Sequence, residues 1–121
     1  MGSSFTDHRG TIIDLLGPVD AVTEITTKAG HVRGNHVHKL TVQFTYIVSG
    51  RLQVAKQPEP GKVFVAEHGP GDLIEEAAGI PHAWRALEDT VVLVFTRGPR
   101  SGDAYETDTQ RLDVPLLAPL D

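Results

Sequence analysis

What most constrains this chain is the absence of any long helical pattern. No window of about twelve residues carries apolar side chains at i, i+3, i+4 and i+7. Short β-rich runs recur instead: TIIDLL (11–16), AVTEITT (21–27), HVRGNHVHKL (31–40), QFTYIVS (43–49), RLQVAKQ (51–57), KVFVAE (62–67), DLIEEA (72–77), HAWRAL (82–87) and TVVLVFT (90–96). Turn residues close each one: GP (17–18), SG (49–50), PEPG (58–61), GPG (69–71), GIP (79–81) and ED (88–89). Many short strands at this spacing predict an all-β sandwich or a small antiparallel barrel. The gaps are too short for the crossover helices that a parallel sheet needs. The tail YETDTQRLDVPLLAPLD (105–121) turns polar and then Pro-Leu-rich, and is expected to cross the surface as coil or one short helical turn.

A chain of 121 residues fits one domain, residues 1–121, with a real core. Cysteine is absent, which excludes disulfides, thiolate metal sites and cysteine nucleophiles. The formal net charge of −5 and the lack of a basic stripe argue against a nucleic-acid partner. The apolar runs are too short to span a bilayer. The opening MGSSFTDHRG lacks the apolar stretch of a signal peptide, so a cytoplasmic location is the expectation.

The chemistry concentrates in GNHVHKLTVQ (34–43). On a strand, residues i and i+2 face the same way, so His36 and His38 point together. Inside a small barrel two imidazoles must be satisfied, by hydrogen bonds or by a shared ion. Imidazole suits Zn, Fe, Ni, Cu and Mn.

The spacing around this pair resembles the cupin superfamily. Its first motif is matched by Gly30, His36, His38, Gln43 and Gly50 (residues 30–50), with glutamine where the family usually has glutamate. Its second is matched by Gly71, Gly79 and His82 (residues 71–86), with Ala77 and Ala86 in place of the family's proline and asparagine. The resemblance implies a single-domain jelly-roll β-barrel. It also implies a divalent first-row metal (Fe, Mn, Ni, Zn or Cu) held by His36, His38 and His82, with Gln43 as a weaker fourth position. A neutral amide leaves the ion its full +2 charge, which favours small anionic chelating substrates and either dioxygenation or a non-redox isomerase or lyase step.

RGNHVHKLTVQ (33–43), FTDHRGTIIDL (5–15) and YETD (105–108) also resemble nucleotide-sugar 3,4-ketoisomerases, and the histidine segment is similar to capsular-sugar cupins. That likeness implies metal-free acid/base catalysis by His36 and His38, with Gln43 native to the pattern; the stretch 55–81 departs from it. A non-catalytic ligand- or metal-binding module is the third class.

Other positions follow from strand parity. Ile47 and Trp84 share the faces of Gln43 and His82 and are expected to line a substrate pocket. Arg33 falls off the histidine face unless Gly34 permits a bulge, which would turn it inward toward a phosphate or carboxylate. Only one of Glu75 and Glu76 can face inward, where it would be a general-base candidate, although a solvated edge suits both. Lys39, His8, His31 and His68 are read as surface residues, and Arg9 and Asp14 as weak candidates. Phe44, Tyr46 and Val48 would face outward together, an apolar patch that predicts a homodimer.

Overall fold

In the computed structural model, which describes residues 4–99 and 102–118, the nine β-rich runs become strands with small shifts at their ends. Two further strands form, one before them at residues 4–7 and one in the tail at residues 109–111, which was expected to be coil or a helical turn. In chain order they are β1 (Ser4–Asp7), β2 (Gly10–Ile13), β3 (Ala21–Thr27), β4 (Val32–His38), β5 (Val42–Ser49), β6 (Leu52–Glu59), β7 (Lys62–His68), β8 (Leu73–Glu76), β9 (His82–Ala86), β10 (Thr90–Arg97) and β11 (Thr109–Arg111). The one helix among the described residues is α1 (Gly102–Asp108), longer than the single turn the tail suggested. One sheet runs β3-β10-β5-β8, the other β11-β4-β9-β6-β7, and β1 and β2 form a separate hairpin. Every pairing is antiparallel, as expected for a jelly roll.

Between the sheets lie Ile47, Leu52, Val54, Ile74, Trp84, Ala86, Val92 and Val94. Each large apolar side chain taken from water contributes about 1.5–3 kcal/mol, so this layer is what drives closure of the barrel. The chain passes from one sheet to the other at Gly50, with φ of 95°. A β-carbon there would sit 2.6 Å from the Asp89 carbonyl oxygen and the Thr90 Cα, so only glycine fits the corner.

The tail binds the outside of the five-stranded sheet. Leu117 packs on Ala55 and Ala83, flanked by Val32 and Leu116. Asn35 fastens it: its Oδ1 accepts from the Leu116 and Leu117 amides at 2.8 and 3.2 Å, and its Nδ2 donates to the Leu117 carbonyl at 2.9 Å.

The outward row on β5 is not an open patch. Phe44 is only 6% exposed, and the Arg97 guanidinium lies 5.0 Å above its ring. Tyr46 is half-buried, and only Val48 is open. The exposed large apolar residues sit elsewhere, among them Phe5, Ile12 and Ile13 on the hairpin and Val63, Phe64 and Val65 on β7, the edge strand of its sheet.

Candidate metal centre

β4 and β9 pair with Arg33 opposite Trp84, Gly34 opposite Ala83 and His36 opposite His82, so one extra residue is accommodated between Gly34 and His36. Gly34 and Asn35 take φ of 89° and 57° to make this bulge. A β-carbon on Gly34 would lie 3.1 Å from the Ala83 Cα and the His82 carbonyl oxygen, so the glycine lets the strands approach. The bulge has two consequences. It turns the Asn35 side chain outward to the tail, and it brings Arg33 onto the same face as His36.

His36, His38 and His82 converge, with one ring nitrogen from each within 4.8 Å of the others. His36 Nε2 is 3.1 Å from His82 Nε2, and His38 Nε2 is 3.2 Å from Gln43 Oε1. Two cis ligands of one ion, each about 2.1 Å from it, stand about 3.0 Å apart. The spacing of these donors therefore fits a first-row metal, and the three histidines form a set able to hold one. The other ring nitrogens of His38 and His82 are also engaged. His38 Nδ1 faces Thr109 Oγ1 at 3.0 Å and Asp108 Oδ2 at 3.6 Å, and His82 Nδ1 faces the Ile80 carbonyl at 3.3 Å. Partners of this kind fix an imidazole's tautomer and aim its other nitrogen. Asp108 is itself buried and fixed by the Leu40 and Thr41 amides at 2.6 and 3.2 Å.

A cavity of about 580 Å³ opens over the cluster, lined by His36, His82, Gln43, Trp84, Arg33 and Arg111 among others. Arg33 is braced against β3, donating from Nε to Thr27 Oγ1 and from Nη2 to the Thr26 carbonyl, both at 2.9 Å. Trp84 lines the wall with its Nε1–H unpartnered among the described residues. Ile47 does not line this cavity. It faces inward, as parity requires, but fully buried in the apolar core, two residues below Thr45 and four below Gln43.

A profile of the cupin domain matches residues 23–96, more than half of the chain. The chain belongs to the cupin family. It is 34% identical over 80 residues to oxalate decarboxylase OxdC of Bacillus subtilis, a stretch that is 64% of this chain and 20% of the decarboxylase. Its fold is similar to QdtA, a sugar 3,4-ketoisomerase from Thermoanaerobacterium thermosaccharolyticum solved with TDP, with a TM-score of 0.73 and 18% identity over 93% of this chain and 85% of QdtA. It is also similar to the capsular polysaccharide assembling protein CapF of Staphylococcus aureus, with a TM-score of 0.70 and 18% identity over 94% of this cupin and 35% of CapF. The chain thus spans about a fifth of the decarboxylase and a third of CapF.

Other groups at this cupin's centre were left open by the sequence or not singled out from it. Glu76 is the acid of the 75–76 pair that faces inward. It is 7% exposed, with Oε1 accepting from Thr45 Oγ1 at 2.6 Å and Oε2 2.8 Å from His82 Nε2. Glu75 is exposed. Tyr105 of α1 and Arg111 of β11 join the cavity wall. The motif spacing reaches the strands of the barrel but not the tail that folds back across β4.

Burial, together with the charges of His82 and His38, lowers the His36 pKa to about 4. Burial lowers His38 as well. For His82, burial works against the charged form, but the hydrogen bond and charge of Glu76 outweigh it and raise the pKa. Burial likewise opposes ionised Glu76, and its contacts with His82 and Thr45 win and lower its pKa. At neutral pH His36 and His38 are therefore neutral and ready as ligands.

Proposed function

We propose that this cupin is a metal-dependent enzyme acting on a small anionic, chelating substrate such as an enolisable carboxylate. The observation that carries this reading is the convergence of three histidine nitrogens and Gln43 Oε1 at the base of an open cavity that Arg33 and Arg111 also line. His36, His38 and His82 would hold the ion. When bound, a divalent metal polarises a chelated oxygen and stabilises an enolate, a role common to dioxygenation and to non-redox isomerase or lyase steps. The protein's own residues set the rest. Arg33, held against β3, presents a guanidinium suited to a carboxylate. Trp84 offers a buried N–H that a substrate oxygen would satisfy; leaving such a donor unpaired costs about 1–3 kcal/mol. The partial likeness to oxalate decarboxylase supports a small carboxylate rather than a large substrate. Metal analysis of purified protein, followed by calorimetric titration with oxalate, malonate and their neutral diesters, tests the reading. Stoichiometric metal and diacid-selective binding are expected; protein that takes up none of Zn, Fe, Mn, Ni or Cu at neutral pH defeats it.

A metal-free ketoisomerase is the second reading. His38 is backed by Asp108 and Thr109 and lies 5.8 Å from the Tyr105 ring, an arrangement suited to a proton shuttle. Turnover of a nucleotide-linked ketosugar that survives complete chelation of metal would favour it.

The homodimer expected from β5 is proposed instead through β7, an edge strand with three consecutive exposed apolar residues, against the same strand of a second copy. Light scattering should give a dimer mass that Phe64→Glu lowers to that of a monomer; a monomeric wild type overturns it.

A further inference from the structure

We infer that Glu76 is the carboxylate ligand of this centre, supplied from β8 in place of the glutamate that Gln43 replaces on β5. The inference rests on the metal-binding reading above. Gln43 and Glu76 are directly paired across β5 and β8, so their side chains leave the sheet on the same face at the same level. A carboxylate moved from one strand to its neighbour still reaches the centre.

The point of contact decides between a ligand and a mere orienting group. A carboxylate that only orients a ligating histidine sits on the ring nitrogen away from the metal. Asp108 and Thr109 do this for His38 through Nδ1, and the Ile80 carbonyl does it for His82 through Nδ1. Glu76 instead meets His82 at Nε2, 2.8 Å away, the nitrogen that also faces His36 Nε2 at 3.1 Å. An ion bound to that nitrogen displaces its proton and removes the hydrogen bond to Glu76. The carboxylate is then buried beside the ion, with Oε1 held by Thr45 Oγ1 at 2.6 Å and Oε2 2.8 Å from His82 Nε2. A buried carboxylate without a counter-charge is strongly unfavourable, and the ion is the counter-charge at hand. The donor set becomes three imidazoles, one carboxylate and one amide, and the ion's net charge falls from +2 to +1.

The test is Co²⁺ and Zn²⁺ affinity, by competition with a chromophoric chelator, for wild type, Glu76→Gln, Gln43→Glu and the exchanged double variant Gln43→Glu/Glu76→Gln. The Co²⁺ visible spectrum gives an independent reading of the ligand set. Glu76→Gln should weaken binding at least ~100-fold, beyond the range typical of outer-shell partners, and change the spectrum. The exchange should recover affinity to within about tenfold, and it remains informative if the single variant does not fold. Wild-type affinity and spectrum in Glu76→Gln, alongside loss of metal in His36→Ala, would overturn the inference while leaving the metal site standing. An exchange that folds without recovering affinity overturns it too. Wild-type protein that binds no metal fails the functional reading itself.

Discussion

The two ends of the barrel are built by the same strands and differ by one step along each. Inward on β9 stand Ala86, Trp84 and then His82; on β5, Ile47, Thr45 and Gln43; on β8, Ile74 and Glu76; on β10, Val92, Val94 and Thr96. The register aligns these series, with Ile47 opposite Val92, Thr45 opposite Val94 and Ile74, and Gln43 opposite Thr96 and Glu76. β8 and β10 change from apolar to polar between the Thr45 and Gln43 levels, and β5 changes one step earlier, at Thr45. One end is therefore a dry plug that stabilises the fold, and the other a polar chamber that the plug holds in place. Stability and chemistry are divided along the barrel axis rather than between separate elements.

Breaking the polar end should give the largest effect. His36→Ala and His82→Ala each should weaken Zn²⁺ binding by more than ~1000-fold, since each removes one of three strong ligands. Equilibrium dialysis with metal analysis checks this. For His36→Ala the unfolding midpoint without metal should stay close to wild type, whereas His82→Ala also strips buried Glu76 of its partner and should lower it. A large fall in the His36→Ala midpoint would mean that the metal-facing histidines support the fold and that the division fails. At the dry end the opposite pattern is expected. Ile47→Ala should cost about 2–5 kcal/mol in urea unfolding, by lost burial and the cavity left behind, while Zn²⁺ affinity stays within about threefold.

Smaller changes sharpen the boundary. Gln43→Ala should weaken Zn²⁺ about tenfold, because an amide oxygen is a neutral, weaker donor than imidazole. The pH dependence separates the histidines. His82 has a raised pKa and must lose its proton before it can ligate, so affinity should fall about tenfold per pH unit below that raised value, starting above 6.5. His36, held near 4, adds a second proton of competition only in far more acidic solution. Without metal the sign differs. The Glu76 contribution to stability is complete above the ordinary carboxylate pKa and lost as pH falls through its lowered value. The His82 contribution is complete below its ordinary value and lost as pH rises through its raised one. An affinity without a one-proton slope above pH 6.5, or a metal-free midpoint that does not fall as pH drops below the carboxylate range, would overturn these assignments.

The sequence makes one coordinate of this chamber legible and hides the other. Alternation says which face a side chain takes, and it places His36 with His38, Trp84 with His82 and Ile47 with Gln43. It says nothing about height, which depends on how neighbouring strands slide. That is why Ile47 belongs to the plug, and why the pairing of Glu76 with Gln43 is invisible until β5 and β8 are set side by side. Arg33 shows the limit of parity itself: the bulge at Gly34 and Asn35 reverses its face, and Gly34 is the only local hint. The family spacing supplied the third histidine, which no local pattern could have linked to the first two. Asp108, Tyr105 and Arg111 come from a tail with weak periodicity, whose path is set by Asn35 and Leu117 rather than by its own pattern.

Trp84 stands on the boundary and gives the finest test. It packs in the apolar cluster and also lines the cavity, with its Nε1–H buried and unpartnered among the described residues. Trp84→Phe keeps most of the apolar area and removes the donor. If the residue serves only the plug, the change should cost some stability and leave ligand affinity alone. If it also serves the chamber, a bound carboxylate loses one hydrogen bond, a net effect of about 1 kcal/mol or roughly fivefold in affinity. As the sole tryptophan of the chain, it also reports directly: its fluorescence should quench as oxalate or malonate saturates the metal-loaded protein. Binding seen by calorimetry with no change in that emission, and with equal affinity in Trp84→Phe, would assign the side chain wholly to the plug and move the boundary up to His82.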